Sequence, residues 1–381
     1  MPLSTSSSDH AEGSGSLATR QTAADRPGVA QPVPVRPVPN LPWRGMLLGA
    51  IALALLLFGG WEWYWRGYGV VPSYRDDGAL WAIQRRRIDT TGQEATVFVA
   101  ASRIFFDVQL PVWEHLSGQR PIQLAIVGTS PLFVLEDLAD DQNFKGRVLV
   151  GVAPDVFFSG FEYRSDWLKY LRHQSPSERV GKWLSMRLVE PYLAFYDDDF
   201  ALFTVLKRQA WPARPGRDDY TMVRKLSNTD ADRNNRMWKK VEDDPQYLAL
   251  AQHIWDQEFH DPPPTPAEAQ ENKRTLHTQI ARAAAAVAKL RSRGVPVLFL
   301  REPSSGEYLA FENREFPRAM TWDVLLAKTG APGIHFEDYP ELQGFNMPEW
   351  SHMTGADADR FTAALYGVID RDFGHPRGVH W

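Results

Sequence analysis

The chain of 381 residues has no cysteine. Disulfides, thiolate metal sites and a cysteine nucleophile are therefore excluded, and the redox compartment stays open, because a chain without thiols suits either side of a membrane. No His-Glu-x-x-His zinc signature, Walker phosphate loop, calcium loop or internal repeat occurs. Asp197-Asp198-Asp199 reads as a solvated turn rather than a metal site, so neither a metal nor a cofactor is expected. The formal net charge of −5 is mild. It argues against a general nucleic-acid binder, so no nucleic-acid partner is expected.

What is present is apolar and aromatic: 44% of the residues are hydrophobic and 14 are Trp. That is ample for the core of one large domain or two smaller ones. Residues 1–42 are the exception. They are rich in Ser, Ala, Gly and Pro, and cannot bury enough surface to offset their ordering entropy, which predicts a disordered tail.

Residues 43–66 follow as a run in which only Arg44, Glu62 and Arg66 are charged, with Trp61, Trp63, Tyr64 and Trp65 clustered at the far end. About 20 apolar residues span a bilayer core, and Trp and Tyr anchor at its interface. The alternatives are a buried core helix and a cleaved signal peptide; the long lead and the lack of a small-x-small cleavage site speak against cleavage. Arg20, Arg26, Arg36 and Arg44 before the span balance Arg66, Arg75 and Arg85 to Arg87 after it, so charge does not set the orientation. Residues 67–95 read as a juxtamembrane connection with a short helix near Asp77–Arg87, whose three arginines meet lipid headgroups or simply end a solvated helix.

From residue 96 the pattern alternates strands and helices, as in an α/β sheet. Strands are expected at Thr96–Ala100, Ile122–Val127, Val148–Val152, Val295–Leu300 and Ile334–Phe336. One amphipathic helix is expected after Ser102, ending at Gly118, with others at Leu132–Ala139, from Pro266 to about Arg293, and at about Ala356–Asp370. Residues of about 160–265 break the rhythm and read as a helical insert without clear strands, rich in Trp as a helix core or a sugar-stacking platform would be. The domain as a whole is expected over 96–375.

Two stretches carry the chemistry. In Thr96-Val97-Phe98-Val99-Ala100-Ala101-Ser102, a strand runs into two small residues and a serine where a helix starts. The carboxyl ends of parallel strands are where open α/β sheets bind ligands, and a serine there serves as a nucleophile if a base reaches it. It also serves as a plain helix N-cap. In Glu349-Trp350-Ser351-His352 a carboxylate precedes a histidine by three positions. His352 is the candidate base and Glu349 the group that holds its tautomer, with Asp338 as an alternative acid. The bland alternative is a surface turn. Gly128, after the second strand, and the amide of Ser102 are candidate oxyanion donors, although Gly128 is also an ordinary turn residue. Arg301, after the fourth strand, and Arg103 are candidate ligands for an anionic substrate group; the alternative for Arg301 is an ion pair with Glu302 or another acid.

Together the serine turn and the Glu-x-x-His element resemble the SGNH (GDSL-like) hydrolase superfamily. The resemblance implies a flavodoxin-like α/β/α sandwich with a Ser102–His352–Glu349 triad and an oxyanion site at Ser102 and Gly128. Three blocks differ: Ala100-Ala101-Ser102 replaces Gly-x-Ser, Glu349 replaces Asp, and Gly151-Val152-Ala153-Pro154-Asp155 lacks the family's third-block asparagine. The layout is similar to membrane-anchored members such as D-alanyl transfer and polysaccharide O-acetylation proteins. By that resemblance the chain is a hydrolase-like esterase or O-acyltransferase on an exported or cell-envelope polysaccharide. The partner implied is a membrane-bound O-acyltransferase. The location implied is the inner (cytoplasmic) membrane, single-pass, with the large domain on the extracytoplasmic side. A non-catalytic scaffold of an acylation or export complex is the alternative, and a plain lipase or esterase a third reading.

Overall fold

In the computed structural model, which describes residues 40–91, 95–209, 225–260 and 262–374, the short apolar runs become strands: β1 (Thr96–Val99), β2 (Ile122–Gln123), β3 (Arg147–Gly151), β6 (Val297–Arg301) and β7 (Gly333–His335), with a separate pair, β4 (Ser227–Thr229) and β5 (Asn235–Met237), between them in the chain. The sheet order is β2-β1-β3-β6-β7 and every pairing is parallel. Counted within the sheet alone this is 2-1-3-4-5, a doubly wound order whose direction reverses between β1 and β3.

Both faces are covered, which is why the strands are apolar throughout rather than alternating. Phe98, Leu149, Leu298 and Leu300 pack with the helices Ser102–Asp107, Leu110–Ser117 and Gly355–Phe373. Val97, Val99, Val148, Val150 and Phe299 pack on the other side with Gly78–Thr91, Leu132–Asp140, Pro266–Ser292 and Trp322–Thr329. The Pro266–Ser292 helix opens on a reciprocal Thr265–Glu268 capping box.

Some expectations change. The stretch after Ser102 is two helices, because Pro111 has no amide to donate and is accommodated only in the first turn of a new one. Among its described residues the insert contains the α-helices Asp166–His173, Pro176–Leu188, Leu202–Lys207, Lys239–Asp243 and Pro245–Phe259, but also the antiparallel β4–β5 pair. Its strands are three residues long and polar, so no apolar alternation announces them. The buried Arg233, at φ +66 between them, donates to Asp76 at 2.7 and 3.0 Å and to the carbonyls of Gln123 and Ala125 at 3.0 and 2.8 Å. The pair is thereby fixed to the end of β2.

Residues 67–91 are also more than a connection. Trp81, fully buried, donates to the Leu124 carbonyl at 3.1 Å. Arg85 pairs with Asp137 and Asp141, both at 2.8 Å, while Arg86 and Arg87 donate to Gln174 and Gln84. Protein side chains engage these arginines, so the lipid-headgroup expectation is dropped.

The chain divides into residues 1–57 and 58–381. Among the described residues one helix, Trp43–Gly67, is long and apolar enough to cross a membrane, and none of its most apolar stretch is buried. Its last turns belong to the larger unit: Phe58 stacks on Phe195, and Glu62 accepts the amides of Ala194 and Phe195 at 2.9 and 3.1 Å. The expected disordered tail lies outside the described residues apart from residues 40–42.

Candidate active site

β1 stops at Val99, Ala100 and Ala101 carry the chain out of the sheet, and Ser102 is the first residue of the helix Ser102–Asp107. The N-cap position is Ala101, so Ser102 is not the cap. It lies half-buried at the carboxyl end of β1, beside the point where the sheet order reverses.

The same helix is fastened to the loop that carries the histidine. Phe106, one turn after Ser102, stacks on the imidazole of His352 with ring centroids 4.1 Å apart. Asp107 accepts the Met353 amide at 2.9 Å, and Arg103 Nε lies 3.4 Å from Ser351 Oγ. The helix that Ser102 begins is thus packed against the loop that carries His352.

Within that loop His352 Nδ1 lies 2.7 Å from Glu349 Oε1, which also accepts the His352 backbone amide at 2.8 Å. The second carboxylate oxygen accepts from Trp255 Nε1 at 2.6 Å. Both partners of the dyad are buried, Glu349 completely. A carboxylate is acceptor only, so Nδ1 is the donor of this pair, and in the neutral ring Nε2 then keeps its lone pair. Nε2 is buried and has no hydrogen-bond partner among the described residues, Ser102 included. The turn between the two is strained: Trp350 sits at φ +70, and its indole lies so close to Gly306 that a Cβ there would come within 2.5 Å.

Behind the dyad is a buried ionic cluster. Glu312, 1% exposed, receives Arg103 and Arg301 on separate oxygens, each at 2.8 Å, and also the Ser304 hydroxyl. Arg103 lies over the Tyr308 ring, and Tyr308 donates to Asp155 at 2.6 Å. Burial drives the Glu312 carboxyl up, and the two guanidiniums more than reverse this, so it ends below its ordinary value. Glu302 is pushed up to about 7 by burial. Asp107 is also raised, first by burial and then by the charges of Glu302 and Glu349.

Arg103 and Arg301, expected to face a substrate, are therefore corrected: at 1% and 4% exposed they are held inward by Glu312. The ion-pair alternative for Arg301 is right in kind, although its acid is Glu312; Glu302 contributes only its backbone carbonyl. Asp338 is corrected as well, because both its oxygens are engaged by Arg318 at 2.8 and 2.6 Å while Glu349 holds the histidine. Gly128 follows the extended end of β2, whose ladder continues through the Ile126 amide to the Ala100 carbonyl. It sits in a turn beyond the strand next to β1 and adopts φ +65, which the turn alone would require of a glycine.

Trp255, Glu312 and Asp107 were not legible as site residues. Each reaches the site from a separate element, and no local motif marks them. No protein-family model matches the chain, and comparison with curated proteins and with solved structures gives no match.

Proposed function

We propose that the chain is an acyl-ester enzyme of SGNH type, with Ser102 as nucleophile, His352 as general base and Glu349 as the residue that orients it. The observation that carries this reading is the buried Glu349–His352 pair with Nε2 left open, on a loop stacked against the helix that Ser102 begins. The 2-1-3-4-5 sheet supports it, because it puts Ser102 where doubly wound sheets bind ligands.

In this reading Ser102 Oγ attacks an acyl carbonyl carbon while Nε2 takes the hydroxyl proton. The amides of Ser102 and Gly128 receive the developing oxyanion. The carbonyl re-forms as the leaving alkoxide departs with the proton from Nε2, and the acyl group remains on Ser102. Water or a polymer hydroxyl then attacks the acyl carbon, giving up its proton to Nε2; the bond to Ser102 Oγ breaks and Oγ takes that proton back, which restores the hydroxyl and the neutral imidazole. Serine–histidine contacts are often long without substrate and close in the Michaelis complex. Trp43–Gly67 is the membrane anchor, in the inner membrane with the large domain on the extracytoplasmic side. That placement suits acyl transfer to or from an exported polysaccharide beside a membrane-bound O-acyltransferase.

A second reading is a non-catalytic scaffold. It is favoured by the segment after β3, which has no asparagine donor and whose Asp155 is taken by Tyr308. Turnover of p-nitrophenyl acetate by the full chain in detergent micelles separates the two. Activity lost in Ser102→Ala and in His352→Ala supports the enzyme; equal slow release by all three proteins leaves the scaffold.

A further inference from the structure

The helix Pro176–Leu188 turns two polar side chains inward: Lys182 is buried on Glu190 at 3.1 Å and on the Arg75 carbonyl, and Ser185 donates to Glu190 at 2.7 Å, while Glu178, Arg179 and Arg187 stay exposed. Its apolar side chains point out: Val180, Trp183, Leu184 and Leu188 recur at helical spacing, all are exposed, and Leu188 is 65% accessible. A helix that only covers a core shows the opposite arrangement, and an outward apolar stripe of this kind marks an interaction surface.

What the stripe faces follows from its neighbours. The chain leaves this helix and wraps the last turns of the apolar Trp43–Gly67 helix. Arg66 donates to the Tyr192 carbonyl at 2.8 Å, Phe195 stacks on Phe58, and Phe200 packs on Trp65 with ring centroids 4.7 Å apart. Tyr192 and Phe203, within the same wrap, are exposed, Phe203 at 79%. Trp183 is covered on one side by the Arg187 guanidinium at 5.3 Å. Aromatic and aliphatic side chains rimmed by arginine, beside residues that continue a membrane-length helix, have the composition of a segment lying in the lipid interface.

We infer that the face formed by Val180, Trp183, Leu184, Leu188, Tyr192 and Phe203 inserts into the interfacial layer of the bilayer, and that the domain is therefore seated on the lipid rather than swinging from a single tether. A second contact of this type limits the domain to substrates close to the membrane surface. The inference rests on the anchor reading of Trp43–Gly67.

The absence of cysteine makes the test direct. Single Trp183→Cys, Leu188→Cys and Phe203→Cys variants of the full chain, with Leu55→Cys in the apolar helix and the exposed Lys273→Cys as references, are labelled with an environment-sensitive dye. They are then reconstituted into phosphatidylethanolamine–phosphatidylglycerol vesicles carrying a doxyl-lipid quencher. Blue-shifted, quenched emission at 183, 188, 203 and 55, with 273 unchanged, is expected. Probes at 183, 188 and 203 that stay in water while 55 is quenched overturn the seated face and leave the anchor standing. If they become shielded only in native membranes, the occupant is a protein. No quenching at 55 overturns the anchor and this inference together.

Discussion

Glu349 Oε1 accepts both the ring Nδ1–H and the backbone amide of His352, at 2.7 and 2.8 Å. One oxygen thus fixes the tautomer of the imidazole and the shape of the turn that presents it. This double role makes Glu349 the residue whose replacement is most informative. Glu349→Gln nearly preserves volume, but its amide nitrogen favours the other tautomer. Hydrolysis of an acyl ester should fall by about 10²- to 10⁴-fold in kcat, as when a triad acid is made neutral. Steady-state kinetics check this, with circular dichroism to show that the fold persists.

Trp255 supports the same carboxylate from the insert. Trp255→Phe keeps most of the packing and leaves Glu349 Oε2 without its donor inside the protein. A loss of about 1–3 kcal/mol is expected for a buried acceptor left unpaired. Urea unfolding measures it, and an unchanged midpoint would mean that the insert does not support the site.

Glu312 holds two buried arginines, so its loss is not local. Glu312→Gln leaves Arg103 and Arg301 without a compensating charge and should cost about 3–5 kcal/mol. The same unfolding assay reads the result, and a cost within the error of the wild-type value would contradict the cluster.

Gly306 should not tolerate a side chain. It sits at φ +52, and a Cβ there would lie 2.5 Å from the Trp350 indole. Gly306→Ala should cost about 1–3 kcal/mol through backbone strain and a displaced Trp350. Because Trp350 stands between Glu349 and His352, activity should fall together with stability.

Glu302 makes stability depend on pH. Its folded value of about 7 lies above that of an exposed glutamate, so the folded state binds this proton more tightly than the unfolded chain. The stabilisation is complete below the unfolded value and is lost as pH rises through about 7. Asp107 acts in the same direction. The urea midpoint of the wild type should fall between pH 5 and 8, and Glu302→Gln should flatten that slope.

The sequence made the sheet legible because its strands are buried on both faces, and four-residue runs such as Thr96–Val99 leave few alternatives. Thr265 and Gly118 marked helix ends for reasons of local hydrogen bonding and backbone conformation, and both hold. Local spacing also placed Glu349 against His352. The substrate-facing reading of Arg103 and Arg301 fails because nothing near them in the chain shows that Glu312, in the middle of another helix, neutralises both. Trp255 and the β4–β5 pair were missed for the same reason. Their partners are set by tertiary packing, and a short polar strand has no periodicity to detect.

The central claim is that Ser102 is a nucleophile served by His352, and covalent labelling tests it most directly. The full chain in detergent micelles is treated with an alkyl fluorophosphonate and the adduct is mapped by mass spectrometry. The account predicts phosphonylation of Ser102, abolished in Ser102→Ala and strongly slowed in His352→Ala. Absence of an adduct on Ser102, or labelling at the same rate with and without His352, would contradict it.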